Sequence, residues 1–148
     1  MTIRIAIVLL TGFVFLICAQ AEDTLVLWPA YPKQGALPFD AIGGIGEFTF
    51  QIARRDGKAG AEVHKNWTYV FAAQAGEATI AYGGEVENPR VQDKSVDDGE
   101  IRGSGLIGAK TQKVQAGEVI LIPAGLPYQI IIEPGQTFNF FVVKSKKK

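Results

Sequence analysis

The chain has 148 residues, with 15 Lys+Arg against 15 Asp+Glu, one histidine and one cysteine. A zinc ribbon or finger needs clustered cysteines and histidines, and a disulfide framework needs paired cysteines, so both are excluded. The length suits one domain, while 47% hydrophobic and 20% charged residues with no net charge exclude intrinsic disorder and a broadly basic nucleic-acid binder.

Residues 1–21 read as a secretory signal peptide. Arg4 supplies the positive charge, Ile5 to Cys18 is apolar apart from Thr11 and Gly12, and Ala19-Gln20-Ala21 forms a small-x-small cleavage site. The apolar run is short of the roughly 20 residues a transmembrane helix needs, so no stable membrane anchor is expected. A lipid anchor on Cys18 is the rival reading, and it is disfavoured by the bulky Ile17 before it. Cleavage near Ala21 predicts a secreted, periplasmic protein of 127 residues without cysteine. Its charge is then 14 basic against 15 acidic, and the body, Glu22 to Val143, is 10 basic against 15 acidic. A body of that sign repels phosphate backbones, so no nucleic-acid partner is expected. Residues 144–148, with four lysines, read as a solvated tail, with an anionic membrane surface as the alternative.

Residues 22–46 read as an N-terminal arm, because Pro29, Pro32 and Pro38 cannot donate to a strand ladder and Gly43-Gly44-Ile45-Gly46 breaks the chain. Phe48, Phe50 and Ile52 then alternate with Thr49, Gln51 and Ala53, the period of a half-buried strand. Similar runs recur at 62–65, 68–75, 78–82, 119–122, 129–133 and 137–143. No stretch sustains a helical period, and 17 glycines and 7 prolines punctuate the chain. The pattern predicts an all-β sandwich or barrel over residues 47–143. Within it, residues 83–113 are polar and Gly-rich and read as a long loop, a candidate lid or contact, carrying acidic Asp93, Asp97, Asp98 and Glu100.

Two segments carry a more specific spacing. Gly117, five residues, Pro123-Ala124-Gly125, two residues and Tyr128 describe an apolar strand ending at a Pro-x-Gly turn. Upstream, Glu62-x-His64, then Tyr69, then Gly76 repeat a second fixed spacing. Both resemble the paired motifs of the cupin superfamily, G-x5-H-x-H-x3-4-E-x6-G and G-x5-P-x-G-x2-H-x3-N, over residues 57–132. Tyr128 stands where the family has its last histidine, Ile132 at its asparagine, Tyr69 at its glutamate and Glu62 at its first histidine. His64 matches the second, and Gly57 is one residue out of step. The resemblance implies a single-domain, double-sheet jelly-roll barrel.

What the resemblance implies about chemistry follows from these departures. Cupins hold iron, manganese, nickel or zinc with three histidines and a glutamate. A neutral phenol is a poor ligand for a divalent ion, so Glu62, His64, Tyr69 and Tyr128 imply no resident metal. Phenolate ligation of ferric iron is the alternative. The first reading is therefore a barrel that binds a small molecule without metal, Tyr69 and Tyr128 donating to a carbonyl or carboxylate and a His64–Glu62 pair exchanging protons. The second is a metal-dependent isomerase, decarboxylase or dioxygenase with Glu62, His64, Tyr69 and Tyr128 as ligands. The third is a structural barrel in which both tyrosines plug the core and self-association, as a homodimer, is the task. Whether a reaction is catalysed stays open. Asn66-Trp67-Thr68 fits a glycosylation sequon by chance, Trp67 and Phe71 read as core or subunit contact, and Gly103-Ser104-Gly105 reads as a flexible turn.

Overall fold

Strand-forming Phe, Val, Ile, Tyr and Thr residues dominate the segments that pair, and the computed structural model, which describes residues 39–45, 47–92 and 99–148, is built from strands. The signal peptide, most of the Pro-rich arm, and Asp93, Asp97 and Asp98 lie outside the described residues. In chain order the strands are β1 (Phe39–Ile45), β2 (Phe48–Asp56), β3 (Ala61–His64), β4 (Trp67–Ala75), β5 (Glu77–Tyr82), β6 (Glu85–Glu87) and β7 (Arg90–Val91). They continue as β8 (Glu100–Gly103), β9 (Gly105–Ile107), β10 (Lys110–Gln115), β11 (Val119–Ile122), β12 (Tyr128–Ile131) and β13 (Thr137–Lys146). A five-stranded sheet of order β1-β2-β13-β4-β11 faces a six-stranded sheet of order β10-β5-β12-β3-β8-β7, and β6 pairs with β9 as a short ribbon. Every pairing is antiparallel, which gives the double-sheet jelly-roll barrel.

Side-chain alternation places the core. Phe138, Phe140 and Val142 of β13 point inward with Tyr69, Phe71 and Ala73 of β4, and meet Ile80, Val114, Tyr128 and Ile130 from the other sheet. The single residue between β4 and β5 is Gly76 at φ +76°, and a Cβ there would lie 1.9 Å from the carbonyl oxygen of Thr137, so no larger residue fits this turn.

Three segments differ from their sequence reading. The arm does not extend to residue 46 as unpaired chain: Phe39–Ile45 is a strand on β2, with an irregular register between Ala41 and Gly43 that absorbs its glycines. The described residues of the 83–113 segment, 83–92 and 99–113, are not one long loop. They hold β6, β7, β8, β9 and most of β10, strands set by backbone pairing; the side chains of β6, β7 and β10 are largely exposed and β8 buries the polar Glu100, so no hydrophobic alternation marks them. Nor is Lys144 part of a solvated tail: β13 runs to Lys146 because both β2 and β4 pair with it, and Lys144 is 4% exposed. Its ammonium lies 5.6 Å from the Trp67 ring centre and 5.8 Å from that of Tyr69.

The aromatic face of β2 points out of the barrel, since Thr49, Gln51, Ala53 and Arg55 are the residues opposite the inward face of β13. Two apolar rows consequently cross the outside of the five-stranded sheet, Leu121-Val70-Val143-Phe50 and Val119-Ala72-Phe141-Ile52.

Candidate functional site

On β3 the side chains of positions 62 and 64 share one face by the two-residue period, and that face is the barrel interior. Antiparallel register sets Arg102 opposite Glu62 and Glu100 opposite His64 on β8, while Tyr128 of β12 lies opposite Glu62 on the other side. Tyr69 approaches from the facing sheet, its ring centre 4.4 Å from that of His64. The four positions singled out in the sequence, Glu62, His64, Tyr69 and Tyr128, thus come together in one cluster. The turn after β11 helps hold them: Gly125, at φ +84°, donates its N–H to the His64 carbonyl at 3.0 Å.

The proton positions follow from what each group is able to do. A carboxylate only accepts, and Glu62 Oε2 lies 2.8 Å from the Tyr128 hydroxyl and 3.2 Å from His64 Nε2. Both therefore donate to it, which puts the imidazole proton on Nε2. In that tautomer Nδ1 is bare and accepts the Tyr69 hydroxyl hydrogen at 3.2 Å. Arg102 closes the cluster, its Nε donating to Glu100 Oε1 and its terminal nitrogen to Glu62 Oε1.

Burial alone would raise the Glu62 carboxyl, but the hydrogen bond from His64, the Arg102 charge and the Tyr128 hydroxyl outweigh it and hold it below its ordinary value. Burial pushes the Tyr128 phenol well above its ordinary value, and the adjacent Glu62 charge adds to the shift. Desolvation works against the charge on Arg102, yet Glu62 and Glu100 more than compensate and raise it. For Arg55, which also feels Glu62, burial wins and lowers it. Between the folded and unfolded values of Glu62 the unfolded chain binds more protons, so stability rises with pH there. The contribution is present above the ordinary value of 4.5 and lost as pH falls through the lower folded value. Glu62→Gln should flatten that acid limb, read as Tm against pH; an unchanged slope would show that other carboxyls set it.

Sequence reasoning missed Arg102 and Arg55, and took Glu100 only as an acidic residue of the 83–113 loop. Glu100-Ile101-Arg102 copies the polar-apolar-polar alternation of Glu62-Val63-His64, which was the available signal, but the strand is four residues long and carries no apolar stripe.

The metal question turns on the same groups. Ligand atoms of Glu62, His64 and Glu100 lie within 4.8 Å of one another, a spacing that suits an ion. The space between the two carboxylates, however, is bridged by the Arg102 guanidinium, and Nε2 already faces Glu62. Arg102 thus already supplies the two buried carboxylates with a permanent cation, in the place where an ion held by this set would sit.

Glu62, His64, Tyr69 and Tyr128 are 8%, 5%, 5% and 2% exposed, and their polar atoms are used on one another. The group that reaches solvent is Arg102, whose side chain is 41% exposed. It lines a cavity of about 340 Å³ with Asn88, Arg90, Gln92, Gly103 and Ser104. A separate cavity of about 350 Å³ opens between β10 and β11, walled by Ile80, Val114, Ile120, Ile122 and Leu126 with Tyr82 at its side. Neither is lined by the four sequence-selected residues.

No protein-family profile and no curated protein sequence matches the chain. Solved structures do. A Cupin 2 conserved barrel domain protein from Salinispora arenicola superposes at TM-score 0.55 with 12% identity, over 83% of this chain and 90% of that one. The cupin domain of Schizosaccharomyces pombe Cnp3 gives TM-score 0.52 and 12% identity, over 74% of this chain and 64% of that one. A protein from Neisseria meningitidis reaches TM-score 0.49 at 11% identity, over 72% and 81%. The chain has the cupin barrel fold. At these identities the likeness is one of fold, and function has to be argued from the site.

Proposed function

We propose that this is a secreted, periplasmic cupin-fold protein that binds a small molecule at the barrel mouth without a resident metal. The observation that carries the reading is Arg102, which supplies the positive charge between Glu62 and Glu100 and presents its remaining face to a cavity of about 340 Å³. Glu62, His64, Tyr69 and Tyr128 form the buried support that fixes Arg102, and a ligand meets them through it. The cavity lies within the roughly 300–1,000 Å³ usual for small-molecule sites.

The metal-dependent reading is favoured by one observation, the clustering of Glu62, His64 and Glu100. Self-association as a homodimer is supported by the two apolar rows outside the five-stranded sheet, where Leu121 is 61% and Val119 66% exposed. A sheet face with such rows suits an isologous pair, each copy offering the same patch. Native mass spectrometry of the mature protein purified without added metal tests all of this at once. The expected species is a metal-free dimer. A mass increment of one iron, manganese, nickel or zinc per chain would replace the proposal by the enzyme reading, and a monomer at micromolar concentration would remove the dimer.

A further inference from the structure

The register of the six-stranded sheet aligns one row of side chains across every strand: Arg90, Arg102, Glu62, Tyr128, Tyr82 and Lys110. In this row two arginines, Arg90 of β7 and Arg102 of β8, are directly opposed in register. Like charges in that position repel, and a sheet gains nothing by placing them there. Arg102 is compensated by Glu62 and Glu100. Arg90 has neither an ion pair nor a side-chain hydrogen bond among the described residues.

The two arginines open on one cavity whose other lining residues are Asn88, Gln92, Gly103 and Ser104, the Ser104 hydroxyl donating to the Glu87 carboxylate at 2.8 Å. Asn88 and Gln92, to either side of Arg90, and Ser104, next to Gly103, line the same cavity. Among the described residues no carboxylate lines the cavity itself. Asn88 adopts a left-handed backbone at φ 50°, and its amide is steered to the Ser104 hydroxyl at 3.1 Å, which fixes that wall. Gly103 sits where a Cβ would fall 2.2 Å from Val86 and 2.4 Å from the Glu87 carbonyl oxygen, so β6 packs directly on β8.

From this geometry we infer that the cavity is an oxyanion site: it takes a small molecule bearing a carboxylate or phosphate group, held between the guanidinium groups of Arg90 and Arg102. The inference rests on the small-molecule reading above and specifies its ligand class. Arg90 provides a charge that no described carboxylate pairs, and Arg102 the link to the buried Glu62–Tyr128 network. Planar guanidinium groups suit the paired oxygens of such ligands.

The test is an NMR titration of backbone amides, at ionic strength matched with chloride, using malonate and inorganic phosphate as probes and malonamide as the uncharged control. Saturable shifts are expected at residues 88–92 and 102–104, with the tighter probe deciding between carboxylate and phosphate. Arg90→Gln should weaken that probe about tenfold, the loss of one charge-assisted contact. Arg54→Gln, on the outer face of the other sheet, should leave it unchanged, which separates a local contact from the loss of one positive charge. Absence of saturation with both anions, or equal affinity in Arg90→Gln, overturns the inference. Malonamide binding as well as malonate also overturns it while leaving the small-molecule reading standing. A metal-loaded mass spectrum removes the metal-free reading and leaves the anion result untouched.

Discussion

Phe71→Ala should cost about 3–5 kcal/mol of folding stability, the range for deleting a fully buried phenyl ring. Phe71 is 2% exposed and sits where both sheets meet. Its ring packs 4.8 Å from Phe140, and edge-on at 5.8 Å from both Tyr69 and Tyr128. Truncation therefore removes the wall that holds the two tyrosines against His64 and Glu62, in addition to its own burial. Against a domain stability of roughly 5–15 kcal/mol the alanine variant stands near the threshold of folding, so Phe71→Leu gives a second point at about 1 kcal/mol. Urea unfolding measures both. A loss under about 1 kcal/mol for Phe71→Ala would mean that the barrel centre is loosely packed and that the tyrosines are not held by it.

The contrast between what was legible in the sequence and what was not follows burial on each strand. Runs such as Tyr69-Val70-Phe71 and Phe138 to Val142 advertise themselves because one face is apolar, and the seven runs read from alternation all coincide with β2, β3, β4, β5, β11, β12 and β13. Strands β6, β7 and β9 escaped because they are two or three residues long and mostly in contact with water, and β8 because what it turns inward is polar, Glu100. The site divides the same way. Glu62, His64, Tyr69 and Tyr128 were accessible through motif spacing, which counts positions along the chain. Arg102 comes to Glu62 across 40 residues through strand register alone, and no local pattern encodes that pairing. Lys144 shows the complementary failure: a lysine next to a lysine-rich terminus reads as solvated, yet two neighbouring strands fix its inward face.

Arg102→Ala is the substitution that addresses the centre of the site. Removing one partner of a buried ion pair costs about 3–5 kcal/mol, because the remaining charge stays desolvated. Glu62 and Glu100 are both buried, but the Arg102 side chain is 41% exposed, so water screens part of what it supplies and the expected loss is about 2 kcal/mol. If the loss comes from stranded carboxylates, neutralising one should recover much of it: Arg102→Ala with Glu62→Gln should be more stable than the sum of the single variants by about 1–2 kcal/mol. Additive effects would show that Arg102 contributes through packing of its stem and not through its charge. The same variant addresses the metal. Without the guanidinium, Glu62, His64 and Glu100 keep their mutual spacing and lose their cation, so zinc or manganese should raise the Tm of Arg102→Ala by mass action while leaving the parent protein unmoved. A parent Tm that rises equally with metal would mean that the guanidinium yields its place to an ion, and that the barrel mouth is a metal site which Arg102 only occupies in the ion's absence.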